Sequence, residues 1–299
     1  MTRRALRFML LLGVPASALA QTTAFVRVNV IDVRAGTVRP RSTVIVTGDR
    51  ITRIGPADSV DIPAGAQRID GANAFLMPGL ADMHAHFTRP EDLQLLLANG
   101  VTMVQFLNAF PELLEWRDSV ARGRALGPEI FPCMGPINSL TSADDGIRVV
   151  ANAAADGYGC IKPYDDISVD SFQALADEGR RRNVRTVGHI PRNLTWQQVL
   201  SARPSAIAHA EEFLYSPITS NEAVDTIVTA MRERKIALIA TLTDYDLIAR
   251  QVVELPELLA LPGVAYFSPV HRRMWAPKWN RYARNFKIES VPNLRRLLV

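Results

Sequence analysis

From Pro78 onward the chain repeats one unit, a short apolar run followed by an amphipathic stretch, and few folds accommodate that rhythm. Seven runs read as strands: Leu80–Phe87, Val101–Leu107, Ile130–Pro136, Gly159–Tyr164, Arg185–Ile190, Ala206–Ala210 and Ile236–Leu242. Between them "PEDLQLLLAN", "PELLEWRDSVARGRAL", "IRVVANAAAD" and "SVDSFQALADEGRRRN" carry helical spacing, and glycine often follows, as a helix C-terminus prefers. Strands alternating with helices pair in parallel. This many units favours a TIM-type (β/α)8 barrel over an open sheet, and active sites in such barrels gather at the C-terminal ends of the strands.

The preceding residues have a different pattern. "AFVRVNVIDV", "STVIVTGDRITRIG" and "AQRIDGANAFLMPG" alternate apolar and polar positions and are cut by Gly, Pro and Asp, which predicts a small antiparallel β unit over residues 21–77. Residues 1–20 have the layout of a signal peptide: a basic "MTRRALR", an apolar "FMLLLGV" too short to span a bilayer, and Ala18-x-Ala20 before Gln21. Cleavage after Ala20 would deliver a periplasmic or secreted protein. The leader's three arginines supply most of the net charge of +4, so the remainder is near neutral and carries no nucleic-acid footprint. No other stretch is apolar and long enough to span a membrane. Cys133 and Cys160 lie in separate apolar segments and are expected as buried thiols rather than a bridge.

Histidine is scarce, with five in the chain, yet His84 and His86 stand one residue apart in "MPGLADMHAHF". Residues two apart on a strand share a face, so both imidazoles would aim at one point, and a point needing two nitrogen donors is usually a metal ion. The plainer alternative is a pair of surface histidines. Lys162 in "GCIKPY", His189 in "RTVGHI" and His209 in "AIAHA" fall at the ends of the fourth, fifth and sixth strands. A lysine inside an apolar strand is costly to bury unpaired. Tyr164 follows Lys162 by one strand period and is a candidate substrate contact. Glu211 is a second, with a polar loop start as its plainer reading. His271, in the long segment after the seventh strand, reads as a lid or surface residue.

In order, "PGLADMHAHF", "GCIKPY", "VGHIP" and "IAHAEEF" resemble the metal-binding strands of the amidohydrolase superfamily. The nearest branch is the exported binuclear group related to imidazolonepropionases and metal-dependent Xaa-Pro dipeptidases. The lead-in "RAGTVRPRSTVIVTGDRITRIG" resembles that group's N-terminal β segment, which implies part of a small composite β-sandwich. The resemblance implies that His84 and His86 hold one divalent metal and that His189 and His209 hold the second. Lys162, carboxylated by carbon dioxide to a carbamate, would bridge them. The metals would be zinc by preference, and the reaction hydrolysis of a C–N bond by metal-activated hydroxide. A dipeptide, an N-acyl amino acid or a cyclic amide would be the substrate. Homo-oligomerisation is compatible with this reading.

The family also places an aspartate at the end of an eighth strand, as metal ligand and proton shuttle. Pro78 to Val299 spans 222 residues, short of the roughly 250 of a complete barrel, so the eighth strand is expected to be missing from a C-terminally truncated chain with little turnover. Asp244 and Asp246 in "TDYD" lack the eighth-strand context and are not assigned that role. Two alternatives are kept: a non-catalytic metal-binding or interaction module, and a mononuclear deaminase of the same superfamily. Lys162 counts against the second.

Overall fold

The computed structural model describes residues 21–87, 89–213 and 221–295, so the leader reading over residues 1–20 lies outside the described residues. The chain divides into two compact units between Pro78 and Gly79.

The first unit is one five-stranded sheet. Strands β1 (Thr22–Asp32), β2 (Thr37–Thr47) and β3 (Arg50–Pro56) form the expected antiparallel meander, while β4 (Gln67–Asp70) and β5 (Phe75–Leu76) pair with β1 in parallel. Alternation within a strand does not reveal its partner's direction, which is set by the return path through residues 57–66. Ala24, Val28, Val44 and Ile45 are buried. Among the described residues of this unit no second layer forms, so the sandwich expectation is met by a single sheet.

The second unit is a parallel sheet of seven strands in chain order: β6 (Leu80–Ala85), β7 (Val101–Ala109), β8 (Glu129–Leu140), β9 (Cys160–Ile167), β10 (Arg185–Gly188), β11 (Ala206–Ala208) and β12 (Ala237–Ile239). Helices connect them: α1 (Asp92–Ala98), α2 (Pro111–Ala121), α3 (Ala143–Asp156), α4 (Val169–Arg182), α5 (Trp196–Ser201) and α6 (Asn221–Arg234). This is a nearly closed TIM-type barrel, and among the described residues no eighth strand joins β12 to β6.

Local chemistry fixes the helix ends. Before α3, Ser142 Oγ accepts from the Asp145 amide and Asp145 Oδ2 accepts from the Ser142 amide at 3.0 Å, a reciprocal capping box. Thr195 and Gln198 do the same for α5. The helices bury Val150, Phe172, Leu175 and Val199 against the outer face of the sheet, each stabilising the fold by roughly 1.5–3 kcal/mol.

A second cluster, Leu107, Cys133, Cys160, Val187, Ala206 and Ala208, has the period-two positions that face the barrel interior. Cys133 and Cys160 are register partners on β8 and β9, their Cα atoms are 4.4 Å apart, and a disulfide joins them. The expectation of separate thiols is therefore corrected. The pairing depends on the register of two strands 27 residues apart, which neither apolar segment shows alone.

After β12 the chain forms α7 (Leu242–Val253), α8 (Leu255–Leu259), α9 (Pro269–Trp275), α10 (Arg281–Asn285) and α11 (Val291–Arg295). Tyr245, Ile248 and Ala249 of α7 are buried, and buried Asn280 Nδ2 donates to Gln251 Oε1 at 2.8 Å, tying the start of α10 to α7. The expected lid segment is thus packed helical structure. Among the described residues no helix is long and apolar enough to cross a membrane.

Candidate metal centre

The five residues singled out at the strand ends come together. His84 lies in β6, His86 just beyond it, Lys162 in β9, and His189 and His209 one residue past β10 and β11. Nε2 of His84 and Nε2 of His86 are 3.0 Å apart. The His84 ring centroid is 4.6 Å from that of His209, which is 4.8 Å from that of His189. The Tyr164 ring packs 4.4 Å from His189, with Lys162 Nζ 5.8 Å from the Tyr164 centroid. The strands β6, β10 and β11 are shorter than their apolar runs suggested, and His86, His189 and His209 each lie one residue past a strand end. At His209 the turn is sharp: φ is 73°, an uncommon conformation for a non-glycine residue.

Lys162 is 5% exposed. Its strand is approached closely by Gly135 of β8, where φ is 131° and a Cβ would stand 2.8 Å from the Lys162 carbonyl oxygen. Only glycine permits that backbone beside the lysine.

The electrostatics favour neutral donors. Burial, then the Lys162 charge, lowers the His84 pKa to about 2, and the same two causes bring His86 to about 4. Burial, then neighbouring His189, brings His209 to about 3. Burial also lowers Lys162 to about 8, partly offset by the Glu212 charge. A lysine so placed is a neutral amine for part of the time near neutral pH.

Two ring nitrogens are held from behind. Nδ1 of His189 contacts Oε1 of Glu212, a carboxylate 5% exposed on the 3-10 turn Ala210–Phe213, and Nδ1 of His209 lies 2.8 Å from Thr241 Oγ1. Such contacts leave Nε2 of each ring to face the cavity. Glu212 and Thr241 were not singled out from the sequence. "HAEE" held both glutamates, but only the local turn decides which reaches His189. Glu211 instead faces the cavity, and its carboxyl is pushed up by burial and held back by a hydrogen bond from Tyr245.

These donors line a cavity of about 730 Å³ whose other wall comes from Asp244, Tyr245, Arg281 and Tyr282, with Tyr164 also present. Asp244, set aside in the sequence, is therefore at the site, and partial desolvation raises its pKa. His271 lies apart from this cavity on α9, where its Nδ1 is 3.1 Å from Ser268 Oγ.

The donor set fits a divalent metal in kind. Two nitrogens on one zinc ion, each at about 2.0–2.1 Å, would be about 3 Å apart at angles between right and tetrahedral, and the His84–His86 spacing is 3.0 Å. His84 Nδ1 is buried without a hydrogen-bond partner. Among the described residues, however, no three His, Cys, Asp or Glu side chains stand together as ligands of one ion. The four imidazoles follow one another as a chain, His86, His84, His209 and His189, beside Lys162.

No protein-family model matches the chain. A dihydroorotase of Pelobacter propionicus is 25% identical over 145 residues, which cover 42% of this chain and 33% of that enzyme, so the match spans about a third of its length. Among solved structures, a bottromycin amidohydrolase aligns with a TM-score of 0.70 at 23% identity, covering 92% of this chain and 64% of its own. A Bifidobacterium longum protein assigned as a prolidase aligns with a TM-score of 0.65 at 21% identity, covering 92% and 68%. These likenesses establish the shared fold.

Proposed function

We propose that the chain belongs to the amidohydrolase superfamily and hydrolyses a C–N bond in a small molecule with the help of two divalent metals. The observation that carries this reading is the convergence of His84, His86, His189 and His209 around buried Lys162 at one end of a parallel barrel. The names of the similar structures, a prolidase and an amidohydrolase, point to amide or peptide substrates.

His84 and His86 would hold one metal, His189 and His209 the other, and Lys162, as a carbamate, would bridge the pair. Bound there, divalent cations, zinc by donor preference, would polarise the scissile carbonyl and lower the pKa of water towards about 7. The protein's own residues do the rest. Glu212 and Thr241 orient two imidazoles, and Tyr164 packs where a substrate would enter beside His189. Asp244, which lines the same cavity and whose carboxyl is pushed up by burial, would be the group to carry a proton to the leaving nitrogen. The disulfide supports export to an oxidising compartment, the periplasm or the exterior.

The test is zinc reconstitution in bicarbonate followed by assay against dipeptides, N-acyl amino acids and cyclic amides, with a chelated control. Zinc binding with chelator-sensitive hydrolysis supports the reading. Failure to bind divalent metal contradicts it.

A further inference from the structure

Lys162 stands where the ladder between β8 and β9 is interrupted. Met134 pairs with Ile161 and Ile137 with Pro163, so β8 spends Gly135 and Pro136 opposite Lys162 alone. Pro136 and Pro163 flank this shift and have no N–H to donate across it. On its other edge β9 is in register with β10 only at Cys160 and Ile161, beyond which the His189 amide donates to the Pro163 carbonyl at 3.0 Å. Lys162 therefore has a register partner on neither neighbouring strand. Two residues earlier, Cys160 is the register partner of Cys133, and the disulfide joining them is buried among Leu107, Val187, Ala206 and Ala208. Residues two apart on a strand share a face, so the bridge lies on the face from which Lys162 enters the large cavity.

Gly135 closes on the lysine from across this gap. A Cβ there would stand 2.8 Å from the Lys162 carbonyl oxygen and 3.2 Å from its Cβ. Contact that close needs the two strands at a fixed spacing, because van der Waals attraction falls off steeply as they part. A covalent link near the last regular pair before the gap supplies the restraint that the ladder lacks. We propose that Cys133 and Cys160 are a positioning pair for Lys162, their bridge holding β8 against β9 so that the amine stays packed in the cavity wall. The placement of the amine stands apart from the proposed function. A consequence for zinc rests on that reading, in which Lys162 bridges the metals. The bridge then acts on the site through Lys162 and touches no substrate.

Two readouts on the full chain test this. Its lysines are Lys162, Lys235, Lys278 and Lys287, so reductive methylation by formaldehyde can be followed at each by mass spectrometry. On chelator-stripped wild type, Lys162, 5% exposed, should react slowly. The double variant Cys133→Ala, Cys160→Ala should speed that reaction about tenfold relative to Lys235, as the strands open locally. By chelator competition, the same variant should hold zinc about 10- to 100-fold more weakly. Leu175→Ala, which removes apolar volume on the outer face of the sheet, is the control for lowered stability and should change neither readout. Should the double alanine variant fail to fold by circular dichroism, Cys133→Val with Cys160→Ala restores apolar volume without the bond and carries the same expectations. An unchanged Lys162 ratio in a folded bridge variant, or an equal rise in Leu175→Ala, overturns the proposal even if zinc binds. A raised ratio in the bridge variant alone, with zinc absent from wild type or held equally by the variant, upholds the positioning role and defeats the reading of Lys162 as a metal bridge instead.

Discussion

The carboxylate of Glu212 lies within hydrogen-bond reach of Nδ1 of His189, so a buried acid on the turn after β11 fixes the imidazole at the end of β10. The contact joins two neighbouring strand ends and specifies the tautomer that leaves Nε2 of His189 free for a metal.

Glu212→Gln keeps the shape and a hydrogen bond but removes the charge. Zinc affinity should fall about 10- to 100-fold, as for other partners of ligating histidines. Zinc titration against a competing chelator measures this. Unchanged far-UV circular dichroism would separate the effect from misfolding.

The Cys133–Cys160 bridge closes a loop of 27 residues in the barrel interior. The double variant Cys133→Ala, Cys160→Ala should lose about 2–4 kcal/mol of stability in urea unfolding, from both the bridge and the apolar volume. Thiol titration of denatured, unreduced wild type should find no free thiol.

The lesson for sequence reading is uneven. The seven barrel strands were legible because each is an apolar run bounded by turn residues, and the clustering of His84, His86, Lys162, His189 and His209 was legible because histidine and buried lysine are scarce. The disulfide was not, since Cys133 and Cys160 meet only through the β8–β9 register. Parallel addition of β4 and β5 to β1 escaped for the same reason. Glu211 and Glu212 are adjacent, and one residue of rotation on a 3-10 turn sends them to different tasks. Asp244 and Arg281 belong to the site only because α7 and α10 pack together over it, a long-range outcome without a local signature.

Asp145 gives a pH prediction away from the site. The hydrogen bond from the Ser142 hydroxyl, helped by the Thr141 and Ser142 amides, holds its carboxyl down to about 2 from an ordinary 3.8. A folded pKa below the unfolded one means that its stabilisation is complete above 3.8 and is lost as pH falls through about 2. Asp145→Asn should lower the urea midpoint at pH 5, and its gap from wild type should narrow across that window. A constant gap would show that the charge is not what matters.

The most direct measurement of the metal claim is zinc content by elemental analysis after reconstitution in bicarbonate and removal of free ion, for wild type and Lys162→Ala side by side. The expected result is two zinc ions in wild type and loss of at least one in the variant. Equal zinc content in the two proteins, or none in wild type, would contradict a centre bridged by Lys162.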